Sequence, residues 1–574
     1  YACSQNDAFI GGVANNRMIK DRDKILIGDF HPGVIQLFRE WLKKKYLSND
    51  KLRVAWHDPK VTFENALPDS KNLVGEDVPS GVFRDPVKSA AAIDYITFFP
   101  TLIGGFYQKL AAHYKNRTDR KALVFMNYGA VLATLPIFQP SGSRAQTNNN
   151  DFHHLLEDEN IDMFVQSMPY DKRNADDPIV IYQPIESINV NNKMYMADYD
   201  ARTISSGTLK YGRHRSQYES EAIIKRDLSW LMMKNSGAWL ADMSMAGWRQ
   251  WIEYRKPWFS TPETTKPVRG TIELFSKGAA PPKKSVCEIA VIVDIETPAY
   301  EDTLNSAVVY RGLITNLMKT EMVKLGAPYD LYLKADLTNG KIRDDYKLYI
   351  FINPFYLNEA ESQSIEKLKR DGKTLAWFYA PGYLNDNGID VNNVSKITGI
   401  DIRVKPNVTE LLQMTVNNST HPLTANLQGT NFKTEMWDSV RDIHPDVIQP
   451  VFYVDDAKTQ TLATYPDSKS AWVAKEFDDW KSVYSAVPYL NVQAIRNLAK
   501  YAGVHLYVDE DIVMGADNRF LMLTNGYEKK RSLKVELPKV QTVKDAFSGN
   551  VISQGRRKFT LEMDTPETRI LLLE

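Results

Sequence analysis

The sequence predicts an α/β protein in three parts: a (β/α)8-type barrel with its C-terminal portion present, a doubly wound α/β domain, and a small C-terminal antiparallel β-sandwich. Three observations predict it. Apolar strands alternate with helical stretches as far as the segment "AWLADMS", the pattern of a parallel sheet with helical crossovers. A second alternation opens at "CEIAVIVDIE", after a stretch rich in Pro, Gly and Lys. The end of the chain is a series of short strands separated by turns.

Taken in order, "YACS" reads as a short strand. "HPGVIQLFREWLKKKYL" repeats Val34, Phe38, Trp41 and Leu42 at helical spacing. "DPVKSAAAIDYITFFPTLIGGFYQKLAAHYKN" is a long helical stretch opened by Asp85-Pro86, a sound helix-start signal. "KALVFMNYG" (121–129) is a continuous apolar strand of the kind covered on both faces. There follow a short helix "DFHHLLEDEN", strands "IDMFVQSMPY" (161–170) and "KMYMADYD" (193–200), the helix "SEAIIKRDLSWLMMKNSG" and the strand "AWLADMS" (238–244). With "YACS" these make five strands, where a closed barrel of this type has eight. Half a barrel leaves two open apolar edges, so the expectation is a chain lacking the first barrel strands. The barrel is assigned to 1–265.

Residues 261–285 read as an inter-domain linker. The helix "SAVVYRGLITNLMKTEMVKLG", strands "YDLYLK" and "KLYIFINPF", helix "EAESQSIEKLKRDG" and strand "TLAWFYAPGY" then form a flavodoxin- or amidotransferase-like pattern, continued by "KSAWVAKEF" and "VQAIRNLAKYAG". This second domain is assigned to 285–510 and the β-sandwich to 511–574. The second domain has no Gly-x-Cys-x-Gly elbow and no G-x-G-x-x-G. Amidotransferase chemistry is therefore excluded and dinucleotide binding unsupported, which leaves a structural role or oligomer contacts.

Composition narrows the function classes. Lys plus Arg and Asp plus Glu are both 71, so the formal charge is zero and nothing electrostatic favours nucleic acid or an anionic membrane. No apolar run is long enough for a membrane-spanning helix. Cys3 and Cys287 are too few for a disulfide framework or a zinc site. "YACSQND" also suits a lipoprotein cleavage site with Cys3 acylated, but reads better as a strand and its loop. His153-His154 show no metal-ligand spacing, since adjacent side chains usually diverge, and read as surface or core histidines.

The strand ends carry the chemistry. Asn127-Tyr128-Gly129 closes one strand, Tyr170-Asp171 the next, Asp198-Tyr199-Asp200 the third and Asp242 the fourth. Polar and aromatic groups at the C-terminal ends of successive parallel strands are where a barrel builds its site. Glycoside cleavage needs two carboxylates, roughly 5.5 Å apart for retention and about 6.5–9.5 Å for inversion. Asp198 is one candidate and Asp7, in "SQNDAF", the other. Asp200 and Arg202 are expected to orient Asp198 and lower its pKa by charge pairing. Tyr128, Tyr170, Tyr199 and Trp248 are sugar-stacking candidates. A single Asp at a strand end is more often a loop cap; the convergence of these residues favours a carbohydrate site. Glu186 is the fallback second carboxylate, with a solvent-facing loop position as its simpler reading.

These stretches also carry a resemblance. "FREWLKKKYLSNDKLRVAWHDPKVTFENALP" and "FRDPVKSAAAIDYITFF" resemble the stretch after the acid/base strand in barrel β-galactosidases of glycoside hydrolase family 42. "GAWLADMSMAGW" resembles their last barrel strand, "QPVFYVDDAKTQTLATYPDSKSAWVAKEFDDWKSVYSAVPYLNVQAIRNLAKYAGVHLY" the end of their trimerisation domain, and "TVKDAFSGNVI…DTPETRILLLE" their terminal β-domain. The resemblance implies an Asn-Glu acid/base pair where this chain reads Asn6-Asp7, and a nucleophilic Glu where it reads Asp198. Both positions hold the shorter Asp, and a displacement of that size can cost on the order of 100-fold in rate.

By that resemblance Asn6 would hydrogen-bond the 2-hydroxyl, Asp200, Arg202 and Asp242 would support the site, and Tyr128, Tyr170 and Trp248 would shape the sugar subsite. Two functions stay open. One is hydrolysis of a β-linked, galactose-type sugar by Asp7 and Asp198. The other is non-catalytic carbohydrate binding, or a scaffold role, on a degenerate glycosidase fold. Neither requires a cofactor or metal. The expected partner is a carbohydrate, with no nucleic acid and no membrane span. The resemblance implies a homotrimer, and a periplasmic or extracellular home suits polysaccharide degradation.

Overall fold

The computed structural model describes residues 2–5, 29–73, 75, 78, 81–128, 131–132, 150–168, 173–175, 177, 179, 183–206, 214–242, 257–277, 284–302, 307–406, 410–433, 447–526 and 529–574. The helices between the first two strands include α1 (Pro32–Tyr46) and α2 (Asn49–Trp56). Pro32 opens α1, where its missing N–H costs nothing. Phe38 and Leu42 bury the apolar stripe of α1, Phe38 lying edge-on to Tyr95 of α3 (Ala90–Arg117) at 4.8 Å. Asp94 of α3 is buried yet satisfied, accepting from Lys45 Nζ (2.5 Å), Tyr46 Oη (2.7 Å) and Trp56 Nε1 (2.7 Å). The helix α3 starts one turn later than Asp85-Pro86 predicts. Asp85 spends its carboxylate on the N–H groups of Val87 and Lys88 in the preceding turn.

Five parallel strands follow one another in sequence order across the first sheet: β1 (Ala2–Gln5), β2 (Phe125–Tyr128), β3 (Met163–Ser167), β4 (Met194–Tyr199) and β5 (Gly237–Leu240). The helices α4 (Phe152–Glu157), α5 (Ile185–Val190) and α6 (Gln217–Met233) form the later crossovers. This is the β-α order of a (β/α) barrel.

The linker reading of 261–285 is wrong over most of its length, because α7 (Pro262–Lys277) runs through it. Thr264, Pro267, Thr271 and Phe275 are buried at helical spacing, and Phe275 meets Phe520 at 4.9 Å. Pro262 sits at the first helical position, where proline is tolerated, and Pro267 lies inside the helix, so two nominal breakers masked an amphipathic stripe.

In the second sheet β6 (Ile289–Val293), β7 (Asp330–Leu333), β8 (Leu348–Phe351), β9 (Lys373–Phe378) and β11 (Trp480–Ser485) run parallel in the order β7-β6-β8-β9-β11. The first four are buried along their whole length, as a sheet covered on both faces requires. "KSAWVAKEF" is β10 (Ser470–Glu476), antiparallel to β11 across a short hairpin. Three further antiparallel strands continue from it, Gln460–Thr464, Gln413–Val416 and Asn431–Lys433, none of which the sequence pattern had marked.

The C-terminal sheet is antiparallel: β12 (Val513–Ala516), β13 (Phe520–Asn525), β14 (Arg531–Asp545), β15 (Val551–Met563) and β16 (Glu567–Leu573), in the order β12-β13-β16-β14-β15. Register irregularities between Glu536 and Gln541 bend β14, so its first half pairs with β15 and its end also with β16. Leu533, Val535, Leu537, Val543, Leu561 and Leu571 fill the space so enclosed. The first two sheets share one continuous apolar core. Among the described residues no helix is long and apolar enough to cross a membrane.

Candidate functional site

Parallel strands in register present partnered residues on one face. Asp198, near the C-terminal end of β4, is in register with Ser167 on β3 and Trp239 on β5. Both side chains turn to it: Trp239 Nε1 donates to Oδ1 at 2.6 Å and Ser167 Oγ to Oδ2 at 3.3 Å. One level towards the N-terminal ends come Asn127, Val165, Met196 and Gly237, and below them Phe125, Met163 and Met194. The Trp239 ring reaches across to Phe125, edge-on at 5.4 Å. This face is the one a barrel encloses.

Asp198 is half-buried, and its carboxyl is held above the ordinary carboxylate range. Burial is the main cause and the charge of Asp200 adds to it; the hydrogen bonds from Trp239 and Ser167 and the charge of Arg173 pull the other way. The expectation that Asp200 and Arg202 lower this pKa is therefore corrected. Asp200 points away into a buried pair with Arg173, whose Nη2 lies 2.5 Å from Oδ1. The same guanidinium donates to the carbonyls of Asp200 and Met168, both at 2.8 Å. Arg202 stands 3.9 Å from Asp200, its guanidinium 5.7 Å from the Trp258 ring centre.

The two strand-end tyrosines that are described face the other way. Period-two alternation puts Tyr128 and Tyr199 on the helix side, both fully buried. Tyr128 lies edge-on to Tyr107 of α3 at 6.0 Å, and Tyr199 Oη donates to Asp227 of α6 at 3.1 Å. Neither ring can stack on a sugar. Their neighbours Asn127 and Asp198 hold the interior positions, and Asn127 Oδ1 is buried without a hydrogen-bond partner. Asn127, Ser167, Trp239 and Arg173 are thus the residues the sequence reading missed. The strand register puts the first three on the face of Asp198, and that register is a tertiary property; nothing local marks Arg173.

Asp242 accepts the Trp258 N–H through Oδ2 (2.9 Å), tying the end of β5 to the turn before α7. Glu186 is neither a loop residue nor a second carboxylate for Asp198. It lies in the first turn of α5, 2.6 Å from Lys234 Nζ, and accepts the Leu331 N–H of β7 at 3.0 Å. Asn6, Asp7, Tyr170 and Trp248 lie outside the described residues. What the described geometry offers is a half-buried carboxylate held by two donors, on the interior face at the C-terminal edge of a parallel sheet. Such a group can take a proton or attack an electrophilic carbon once a second group faces it.

No protein-family model matches the sequence, and no curated protein does. Solved structures match in fold. A catalytic mutant of a glycoside hydrolase family 42 β-galactosidase from G. stearothermophilus superposes with a TM-score of 0.61 at 12% identity, over 95% of this chain and 77% of that one. A cold-adapted β-galactosidase from Rahnella sp. R3 gives 0.60 at 15% identity, over 95% and 76%. The β-galactosidase of Bacillus circulans sp. alkalophilus gives 0.53 at 11% identity, over 95% and 77%. The chain shares the glycosidase fold of these proteins, barrel strands and following domains together.

Proposed function

We propose that a chain with this shared fold is a glycoside hydrolase acting on a β-linked, galactose-type sugar, with Asp198 as nucleophile or base and Asp7 as acid/base. The observation that carries the reading is Asp198 itself: an interior-facing carboxylate at the C-terminal end of a barrel strand, with Trp239 and Ser167 aimed at its oxygens. Those donors favour the charged form that a nucleophile needs, while burial and Asp200 oppose it. The unpartnered Asn127 Oδ1 supplies an acceptor for a ligand hydroxyl. Asn6 is proposed to hydrogen-bond the 2-hydroxyl, and Tyr170 and Trp248 to shape the sugar subsite.

Asp200 and Arg202, with Arg173, brace the strand end beneath the reacting group. The reading further proposes three domains at 1–265, 285–510 and 511–574, and a homotrimer. The test is hydrolysis of a panel of aryl β-glycosides, galactoside foremost, by the protein beside its Asp198→Asn variant. Turnover of the galactoside that falls to background in the variant is the expected result. No turnover by the parent, with sugar binding measurable by calorimetry, would sink the enzyme reading in favour of a carbohydrate-binding protein.

A further inference from the structure

Away from Asp198, on the helix side of the first sheet, the start of α4 gathers an unusual set of donors. Asp151 precedes α4 as its N-cap residue, yet its side chain caps no backbone N–H of the helix. That departs from the ordinary behaviour of an N-cap aspartate, whose carboxylate accepts from the second or third helical N–H. Instead Asp151 Oδ1 lies 2.5 Å from His154 Nδ1. The carboxylate is buried against α3 at Gly104, where a Cβ would stand 2.5 Å from Asp151 Oδ2. A glycine is required there for the carboxylate to hold this position.

The rings of His153 and His154 do not diverge, as adjacent histidines usually do. Their centres are 3.8 Å apart. Asp151, His153 and His154 each bring one donor atom to within 4.8 Å of the others. A fourth donor arrives from the second domain: Glu296, just after β6, places Oε1 2.8 Å from His153 Nδ1. That nitrogen is sealed from solvent and has no aligned hydrogen-bond partner, so the contact with Glu296 is close without being a well-formed hydrogen bond.

We propose that Asp151, His153, His154 and Glu296 form a binding site for a divalent transition-metal ion of the Zn²⁺ class. Two imidazoles and two carboxylates are a zinc-type donor set. With metal–ligand bonds of about 2.0–2.2 Å, the donor atoms of a tetrahedral site stand roughly 3.4 Å apart. The Asp151–His154 and Glu296–His153 pairs, at 2.5 and 2.8 Å, are tighter than that, and Glu296 stands outside the three-residue group that spans up to 4.8 Å, so ångström-scale shifts of the side-chain ends must draw the two pairs around the ion. Two carboxylates cancel the charge of the dication. The uncapped N-cap aspartate, the Gly104 recess and the misaligned His153 contact then have one explanation. Three ligands belong to the crossover after β2 and the fourth to the loop after β6, so the ion clasps the first sheet's helical layer to the second domain.

The test uses the full chain without a histidine tag, stripped with chelator and titrated with Zn²⁺ alone by competition against a chromophoric chelator, with thermal unfolding followed in parallel. The expected result is one Zn²⁺ per chain at sub-micromolar Kd, a raised Tm, and an X-ray absorption edge showing four N/O ligands with imidazole scattering. His154→Gln, at an exposed side chain, is expected to weaken binding at least 100-fold while the fold persists. Gly104→Ala, which alters no ligand and only crowds Asp151, is expected to weaken it about 10- to 100-fold, as outer-shell changes do. Absence of stoichiometric binding, or affinity unchanged in the His154→Gln, Glu296→Gln double variant, would overturn the proposal and leave two ordinary histidine–carboxylate pairs.

Discussion

Replacing Lys234 by Met tests whether the carboxylate of Glu186 belongs to the architecture or to a reaction. Lys234 Nζ lies 2.6 Å from Glu186 Oε1, 3.1 Å from Asp330 Oδ1 and 2.7 Å from the Tyr329 carbonyl, packed between α5, α6 and β7 with Asp330 buried and the others partly so. Burial pushes the Asp330 carboxyl up, but the ammonium and hydrogen bonds from Ser285 and Tyr346 bring it down to about 2 from an ordinary 3.8. That difference alone amounts to about 2 kcal/mol of stability. It is present above pH 3.8 and is lost as pH falls through about 2.

Glu186 sits on the other side: burial raises its carboxyl despite the pull of Lys234. Without the ammonium both carboxylates are buried charges with one attraction gone, and breaking such a pair costs about 3–5 kcal/mol. Both folded-state pKa values then rise, although Asp330 keeps its hydrogen bonds from Ser285 and Tyr346. The variant's relative stability is therefore best below about pH 4 and falls as pH rises from there. The assay is urea unfolding of parent and variant at pH 7.5 and pH 4.5, followed by tryptophan fluorescence. A deficit of about 3–5 kcal/mol at the higher pH that shrinks at the lower one is expected. A deficit below about 1 kcal/mol, or one that grows in acid, would refute the structural assignment.

Trp239→Phe removes the shorter of the two donors to Asp198, so the acid limb of the pH–rate profile should move upward; a downward shift would contradict the placement of Trp239. Tyr199→Phe should cost about 1 kcal/mol through the lost bond to Asp227 and leave KM for a galactoside unchanged, whereas a raised KM at unchanged stability would restore Tyr199 to the sugar site. Phe275→Ala, in the helix that reads as a linker, should cost about 3–5 kcal/mol in thermal or urea unfolding, and a change under about 1 kcal/mol would mean α7 contributes no packing.

The sequence by itself determined the elements whose signal is local. Continuous apolar runs such as "IAVIV" and "LYIF" are strands because a sheet covered on both faces tolerates little else. Capped amphipathic runs such as Pro32–Tyr46 are helices for equally local reasons. Asp198 was legible too, as a carboxylate ending an apolar strand. Tertiary structure decided which way side chains point and what they meet. Tyr128 and Tyr199 occupy strand ends as expected, yet a one-residue step along a strand reverses the face, and only the register with β3 and β5 shows which parity is interior.

Partners distant in sequence were equally out of reach. Arg173 for Asp200, Lys234 and Leu331 for Glu186, and Glu296 for His153 are juxtapositions made by packing between elements, and no spacing along the chain encodes them. The α7 segment failed for a related reason. Its prolines weaken any local helix signal, and the burial of Thr271 and Phe275 against the rest of the protein overrides it. Strand and helix identity is a short-range property of the chain, whereas the ionisation of Asp198 and the pairing of buried charges depend on groups brought together only by the fold.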